Sequence, residues 1–376
     1  MKKIFFIATI PEFFISHRLK LALAARKMGL DVHVVTSNGC LVEKIKALGF
    51  QHHVIPFSRS GQHPLKEFLT LLSLYKLLIQ ERPEIVHLIG TKCSIYGGIL
   101  AQILKLKGVV VAITGLGTVF LSQTFFGRIR KKIILLAYGI IFRHNNIAVI
   151  FQNKDDINEL IKIKSLKCSK VNFIRGAGVD LTHFRYDEAE PGIPVVVYAA
   201  RLIKDKGVFE FVDAARILKK RGISVVMRLI GSLDPENLSS IRADLIESWR
   251  AEAVVEIFGF STDIAKEYRS AHIVCLPSYR EGLPLGLIEA ASCGRAVVTT
   301  DVPGCREVII PNETGLLVPV KDATKLADAI QELVLNPRRR EQFGKAGRKM
   351  AELEYSDEKI VDQVQEIYCR LLQKCV

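Results

Sequence analysis

The sequence predicts an α/β protein built from two similar halves, each around an open parallel sheet. Continuous apolar runs of strand length alternate with longer helix-like segments, which is typical of strands covered by helices on both faces of a sheet. The alternation stops at residues 175–194 and then starts again. A length of 376 residues also favours two domains over one.

In the first half, the helical segments between the predicted strands have recognisable ends. The segment after the first strand stops at Gly29, and the long helix at 65–83 is ended by Pro83. The predicted strands of this half are 3–9, 31–37, 51–57, 84–90, 109–115 and 146–153.

Glycines, prolines and an acidic cluster make 175–194 a predicted interdomain linker. The second half has a predicted helix at 207–222, and a final helix at 356–376 starts with Ser356 as its N-cap. The predicted strands of the second half are 195–202, 224–232, 254–260, 272–278 and 296–301. The expected organisation is an N-terminal domain at 1–180, a C-terminal domain at 181–355 and a last helix, 356–376, that can return to the first domain.

The chain is strongly basic, with a net charge of +14 and a pI of about 9.4. This balance indicates attraction to nucleic acid, to an anionic membrane face or to phosphorylated substrates. The sequence has no helix-turn-helix pattern and no platform that combines aromatic and basic residues. We therefore expect no nucleic-acid partner.

Cysteine usage and hydropathy favour a reduced, cytosolic protein that does not span a membrane. No CxxC occurs and no His/Cys cluster has zinc spacing, so free thiols are expected. The first residues resemble a signal peptide, but Pro11 and Glu12 end the apolar run. The run at 133–142 is only ten residues long, too short to span a bilayer. The eight cysteines are Cys40, Cys93, Cys168, Cys275, Cys293, Cys305, Cys369 and Cys375.

The stretch SYREGLPLGLIEAASCGRAVV (278–298) predicts an anion site in the second half. A strand is followed by a glycine-rich turn and by a helix that begins near Leu285. Amides near Gly286 and Leu287 would face an anion, aided by the helix dipole. Glu289, one turn into that helix, can accept hydrogen bonds from vicinal hydroxyls such as those of a ribose. Glu281 lies in the turn itself.

A second strand–loop–helix junction, AARLIKDKG (199–207), carries Arg201 and Lys206. If its strand neighbours the one that ends at Ser278, both cations reach the same crevice. A forked guanidinium and an ammonium together suit a diphosphate. The alternative is structural: solvated or capping acids and an ordinary basic loop.

These segments, together with FGF and NETGLLVPVKD, resemble the carboxyl-terminal half of a family 4 glycosyltransferase. Glu281 and Glu289 match the two glutamates, with seven residues between them, that mark this family, and GAGVDLTHF (176–184) is similar to its interdomain segment. SHRLKLALAARKMGLDVHVVT, VHLIGTKCSIYGG and AITGLGTVF resemble the branch that acts on saccharides carried by polyprenyl diphosphate. The resemblance implies a GT-B fold, with two Rossmann-like domains facing across a cleft.

The resemblance also implies roles in the second domain. Arg201 and Lys206 would bind the donor diphosphate, Glu289 the nucleotide ribose, and Glu281 the donor sugar. The backbones of Gly282, Leu285, Gly286 and Leu287 would meet sugar and phosphates, and Gly259 and Phe260 the base. The family retains anomeric configuration and needs no metal, so no cofactor is expected besides the nucleotide-sugar substrate. The adjacent pair Asp155 and Asp156 is interpreted as a helix N-terminus.

The first half is expected to hold the acceptor. His17 would open the first helix, His87 would end a strand, and Lys92, five residues later, could meet an acceptor diphosphate. Gly115 and Gly117 form a glycine turn that permits close approach of a ligand, although it lacks the dinucleotide fingerprint. The structural alternative for each histidine is a satisfied core residue.

Segment 125–145 combines an apolar run with the cations Arg128, Arg130, Lys131 and Lys132. This mixture predicts an interfacial helix that binds an anionic membrane, the alternative being a core helix with a basic end. The expected location is the inner face of the plasma membrane.

Together these features predict a retaining glycosyltransferase. It would move a hexose or N-acetylhexosamine from a nucleotide-diphosphate sugar, with UDP as the expected nucleotide, to a polyprenyl-diphosphate-linked acceptor. The expected pathway is the synthesis of bacterial surface polysaccharide, such as O-antigen or capsule, or of a glycoconjugate. The alternatives are another GT-B enzyme, such as a sugar-nucleotide epimerase, and a non-catalytic basic membrane-binding protein.

Overall fold

The computed structural model describes residues 1–58, 63–121, 124–235, 237 and 239–373. They form two compact units: unit 1 comprises Met1–Gly178 and Asp357–Val376, and unit 2 comprises Val179–Ser356. Each unit has an entirely parallel sheet with helices packed on it. The prediction of two parallel-sheet α/β domains is confirmed.

Unit 1 has a seven-stranded sheet in the order β3-β2-β1-β4-β5-β6-β7. Its strands are β1 (Lys3–Ile7), β2 (Asp31–Thr36), β3 (Gln51–Val54), β4 (Ile85–Ile89), β5 (Gly108–Ile113), β6 (Ile147–Phe151) and β7 (Val171–Phe173). Its helices are α1 (Pro11–Lys27), α2 (Val42–Ala47), α3 (Pro64–Glu81), α4 (Thr91–Leu104), α5 (Phe125–Ile141), α6 (Lys154–Leu160) and, from the end of the chain, α13 (Asp357–Gln373).

The apolar runs become the central strands of unit 1 because both faces of this sheet are covered. Every residue of β4, β5 and β6 is buried. One face packs against α3, α4 and α5, and the other against α1 and α13. The last helix therefore contributes to the core of the first domain.

Unit 2 has a six-stranded sheet in the order β10-β9-β8-β11-β12-β13. Its strands are β8 (Val195–Ala199), β9 (Val226–Ile230), β10 (Glu256–Gly259), β11 (Ile273–Leu276), β12 (Ala296–Thr300) and β13 (Gly315–Val318). Its helices are α7 (Val208–Lys220), α8 (Ala243–Glu252), α9 (Ile264–Ser270), α10 (Leu285–Ser292), α11 (Ala323–Leu335) and α12 (Pro337–Glu354). One continuous apolar core lies under these helices.

The predicted strands are found within a few residues of their expected ends, and Asp155 and Asp156 lie in the first turn of α6 as expected. Two short strands, β7 and β13, were not predicted. The seven cysteines in the described ranges are unpaired, and Cys375 lies outside them. Among the helices of the described ranges, none has the length and apolar character needed to cross a bilayer.

Candidate active site

The candidate donor site lies at the carboxyl edge of the unit 2 sheet, where β8 and β11 are neighbours. These strands pair in parallel, with Ile273 opposite Val196 and Val274 opposite Val197. The loop after β8 therefore lies beside the loop after β11, and the amide of Tyr279 donates to the Asp205 carbonyl over 2.9 Å. The pairing that the sequence left conditional is present, in the place where parallel α/β sheets bind ligands.

Arg201 leaves the end of β8 with its guanidinium half-exposed. Its Nη1 donates to Oδ2 of Asp234 over 2.6 Å, and Asp234 is only 7% exposed. Asp234 follows β9, the other neighbour of β8. A fixed carboxylate on one arm of the guanidinium restricts its rotation, while the half-exposed part of the group stays accessible to solvent. The orientation of Arg201 is thus set by a residue that sequence reasoning missed.

Lys206 and Glu281, on neighbouring loops, form a second ion pair. Lys206 Nζ lies 2.5 Å from Glu281 Oε1, and both side chains are mostly buried. The two predicted diphosphate cations are therefore each matched by one carboxylate. An incoming diphosphate has to share or displace these partners.

Glycine allows the two loops to approach closely. Gly207 has φ +72°, in the left-handed region, and any Cβ there would collide with the carbonyl oxygen of Pro277. The segment after β9 supports the same loop from its other side: Ser239 donates its hydroxyl to Asp205 over 2.9 Å and accepts the amide of Lys204 at its carbonyl over 2.7 Å. The Lys206 loop is thus held on both sides.

Glu289 lies in the second turn of α10, as predicted, in a largely enclosed setting. Burial raises the pKa of Glu289 to about 7. Tyr268 from α9 lies beneath it, and burial followed by the charge of Glu289 raises the pKa of Tyr268 well above its usual range. Gly286 approaches the Tyr268 hydroxyl so closely that a Cβ would lie 2.8 Å from it. Glycine is therefore required at position 286, because a side chain there would collide with the Tyr268 hydroxyl.

The start of α10 lies where the sequence predicted it, with one difference at Leu287. Helix α10 begins at Leu285 as expected, and Gly282 is buried in the preceding turn. The amide of Leu287 already donates to the Pro284 carbonyl over 3.1 Å. The first turn is closed locally, so Leu287 does not offer the free amide that the sequence suggested.

Gly259 and Phe260 lie at the outer end of the same edge. Gly259 ends β10 with φ +76°, its carbonyl accepts the amide of Gly231 over 2.8 Å, and the Phe260 side chain is largely exposed. Since β10 is two strands away from β8, the predicted base contacts and diphosphate cations follow one sheet edge in order.

In unit 1 the structure does not support the predicted role of His87. This residue lies in the middle of β4 rather than at its end and is 1% exposed. Its ring stacks on Phe6, and Nδ1 is 2.6 Å from the Tyr368 hydroxyl of α13. Burial, followed by the charge of Arg18, lowers the pKa of His87 well below its usual range. His87 is a neutral core residue with no access for a substrate.

His17 differs in position from the expectation, and Lys92 has a carboxylate partner. Helix α1 begins at Pro11, so His17 lies in its second turn, where its ring stacks on Phe13. Lys92 is in the first turn of α4, and its Nζ lies 2.8 Å from Glu67 and 2.5 Å from the Ser58 carbonyl. An acceptor diphosphate at Lys92 has to compete with Glu67.

The glycine turn after β5 is present as predicted. Gly115 has φ +124° and Gly117 has φ +72°, and a Cβ at Gly117 would meet no atom within 4 Å. Between them, the amide of Leu116 donates to the buried carboxylate of Asp156. The open position is therefore at Gly117, at the carboxyl edge of the unit 1 sheet.

Asp234, Tyr268 and Glu67 are the residues near predicted positions that the sequence did not identify. Asp234 follows a predicted strand and a glycine, and an acid in that position could have been recognised from the sequence as a candidate site residue. Tyr268 lies inside α9 and Glu67 lies in the first turn of α3, and nothing in their local sequence marks them.

The family model described as "Glycosyl transferases group 1" matches residues 182–350, and the one described as "Glycosyl transferase 4-like" matches residues 3–153. Together they span most of both units. The chain belongs to glycosyltransferase family 4, and it is a glycosyltransferase with the GT-B fold.

Two relatives are similar over nearly their whole length. One is the N,N'-diacetylbacillosaminyl-diphospho-undecaprenol alpha-1,3-N-acetylgalactosaminyltransferase of Campylobacter jejuni, 27% identical, with 95% of each chain covered. The other is the capsular polysaccharide biosynthesis glycosyltransferase CapM of Staphylococcus aureus, 28% identical, with 99% of this chain and 98% of the relative covered.

Solved structures show the same fold. Sucrose-phosphate synthase from Thermosynechococcus elongatus superposes with a TM-score of 0.80 at 22% identity, covering 99% of this chain and 100% of that one. HepE from Anabaena, solved with UDP and glucose, gives a TM-score of 0.77 at 17% identity, covering 98% and 100%.

Proposed function

We propose that this glycosyltransferase moves a hexose or N-acetylhexosamine, with retention of anomeric configuration and without a metal ion, from a UDP-sugar to a polyprenyl-diphosphate-linked saccharide. The observation that carries the proposal is the placement of four residues at one edge of the sheet: Arg201 and Lys206 lie on the loop after β8, and Glu281 and Glu289 lie on the adjoining loop and helix after β11. Two cations and a largely enclosed carboxylate suit a diphosphate followed by a ribose.

The chemistry needs charge stabilisation more than a side-chain nucleophile. The bond between sugar C1 and the β-phosphate oxygen breaks, and a bond from C1 to the acceptor oxygen forms. The hydroxyl proton passes to the departing diphosphate, on which negative charge develops. Arg201 and Lys206 are fixed donors that would stabilise this charge without reorganising.

The acceptor proposal rests on unit 1 and on the relatives. The Campylobacter relative is named for an undecaprenyl-diphosphate-linked acceptor and the Staphylococcus relative for capsule synthesis. An acceptor of that kind stays in the membrane, so the enzyme has to work at the bilayer surface. We place this role in bacterial surface-polysaccharide or glycoconjugate synthesis, on the cytoplasmic face of the membrane, with α5 as a contact to anionic lipid.

The test is a donor screen with purified protein. UDP- and GDP-sugars are supplied with and without a synthetic polyprenyl-diphosphate saccharide, and released nucleotide, product linkage and EDTA sensitivity are measured. We expect release from one UDP-sugar, stimulated by acceptor and unaffected by EDTA, with a product of retained configuration. Interconversion of the sugar nucleotide without transfer would instead identify an epimerase.

The matched variants are Glu289→Ala and Glu313→Ala. Glu313 is an exposed acid on a loop of the same unit, so its loss controls for the charge change. Transfer should disappear only in Glu289→Ala. Equal activity in both variants would remove the proposed ribose contact.

A further inference from the structure

More than half of the exposed large apolar side chains in the described part of the chain lie on two helices of unit 1, α3 and α5. Both helices pack, with α4 between them, on the same face of the sheet. A concentration of exposed apolar surface on one face indicates a binding surface rather than scattered surface residues.

Helix α5 presents a continuous apolar stripe with basic edges. The exposed residues recur at helical spacing, opposite the buried Tyr138 and Ile141. The helix contains no acidic residue, and its exposed Arg130 and Lys132 lie on either side of the stripe. The stripe consists of Phe125, Phe126, Ile129, Ile133, Leu136 and Ile140.

Helix α3, for which the sequence suggested no function, has a second stripe of the same kind. Its two carboxylates are withdrawn from the surface, because Glu67 pairs with Lys92 and Glu81 with Lys3. The remaining charges are the exposed cations Lys66 and Lys76. The stripe consists of Leu65, Phe68, Leu69, Leu72, Tyr75 and Ile79.

The most exposed of these side chains are found where the two helices begin. Leu65 is 79% exposed and Phe126 is 74% exposed. Helices that follow parallel strands begin at the carboxyl edge of the sheet, so both helix starts lie at the edge where α4 carries Lys92. Apolar side chains thus lie on both sides of the candidate acceptor position.

We propose that α3 and α5 are two arms of one surface that inserts into an anionic lipid bilayer, with α3 contributing as much as α5. Charge complementarity selects this partner: the exposed charged side chains of α3 and α5 are all cations, and apolar side chains bordered by Lys and Arg match the headgroup–acyl boundary. The biological role of this surface rests on the proposed function, because insertion would place Lys92 at the bilayer where a lipid-linked acceptor is found. The test of membrane binding requires no acceptor.

The test measures partition of the full-length protein onto vesicles of phosphatidylglycerol and phosphatidylethanolamine, without donor or acceptor. Leu65→Ser/Phe68→Ser changes α3, Phe125→Ser/Phe126→Ser changes α5, and Ile193→Ser/Leu335→Ser removes exposed apolar side chains from unit 2. We expect each unit 1 double variant to bind at least 10-fold more weakly, and the unit 2 control to bind normally. All three should keep the wild-type Tm, because the substituted side chains are exposed.

A second measurement reports insertion directly. Tryptophan fluorescence of Phe68→Trp should be quenched by lipids brominated in the acyl chain, whereas that of Leu335→Trp should not. Normal vesicle binding by the α3 double variant, or absence of quenching at position 68, would overturn the proposal. The proposal would also be overturned if the wild-type protein is a dimer and the α3 double variant is a monomer that still binds vesicles normally. In that case α3 would be a subunit interface. Vesicle binding without sugar transfer would refute the proposed function and leave the surface intact.

Discussion

Arg201 and Asp234 form an ion pair in which the acid is buried and the guanidinium is half-exposed. We expect Asp234→Asn to lower kcat by about 10- to 100-fold with little change in Tm, because the guanidinium loses its orientation while its charge remains. Asp234 is therefore predicted to be a positioning residue. Steady-state kinetics of Asp234→Asn, Arg201→Ala and the double variant give the measurement, with Glu247→Gln as a control in a surface pair with Arg250. If the double variant is much slower than Arg201→Ala alone, Asp234 acts independently of Arg201 and this role is wrong.

Lys206 and Lys204 lie two residues apart on one loop, and only Lys206 pairs with Glu281. Lys206→Ala should reduce turnover at least ~100-fold, since a fixed cation is lost where phosphate charge develops. Lys204→Ala removes the same charge from the same loop and should stay near wild type. Comparable losses in the two variants would indicate a general electrostatic effect instead of a specific contact.

Glu289 should make donor binding depend on pH near neutrality. Burial raises the pKa of Glu289 to about 7, so the carboxyl is largely protonated at pH 6 and ionised at pH 8. The ionised form accepts hydrogen bonds from ribose hydroxyls with both oxygens, so affinity should increase about 10-fold from pH 6 to pH 8. The affinity is measured by calorimetry with an intact sugar nucleotide, because the terminal phosphate of free UDP would itself titrate in this pH range. The same increase in Glu289→Gln would show that another group is responsible.

His87 should affect stability and not turnover. Burial holds its pKa well below the usual 6.5, so below that pH the unfolded chain takes up a proton that the folded chain does not. Stability should therefore decrease as the pH falls from about 6.5. Between pH 7.5 and pH 5.5, the free energy of unfolding measured with urea should fall by about 1 kcal/mol less in His87→Gln than in wild type.

The control for this change is His183→Gln, which makes the same substitution at an exposed position and is measured over the same pH range. Folded His87→Gln should retain wild-type kcat at pH 7.5. A fall of 100-fold or more in folded protein would restore the catalytic role that the sequence suggested for this residue.

The sequence predicted the sheet order near the donor site less well than the strands themselves. Runs such as 195–202 and 272–278 are recognisable because buried parallel strands are continuously apolar. Nothing local specifies that β8 and β11 pair, since their contact depends on how the helices between them pack. The spacing of Glu281 and Glu289 was informative because both belong to one loop and helix start.

The prediction for His87 in unit 1 failed for a related reason. The apolar run around His87 does not show where a strand ends, and a buried histidine and a catalytic one have the same local sequence. Its partner Tyr368 is far away along the chain, on α13. The withdrawal of Glu67 from the surface of α3 likewise depends on Lys92, which a helix-by-helix analysis cannot pair with it.

The position of α13 also constrains how the protein is made. Unit 2 is one continuous stretch, Val179–Ser356, whereas unit 1 needs the buried Ile360, Val364 and Tyr368 from the end of the chain. A chain that emerges from the ribosome can finish the core of its second domain while the first still lacks a helix. The first domain, although translated first, is then the last to be completed, and truncations that remove only the final 20 residues would expose the core of the domain at the opposite end of the sequence.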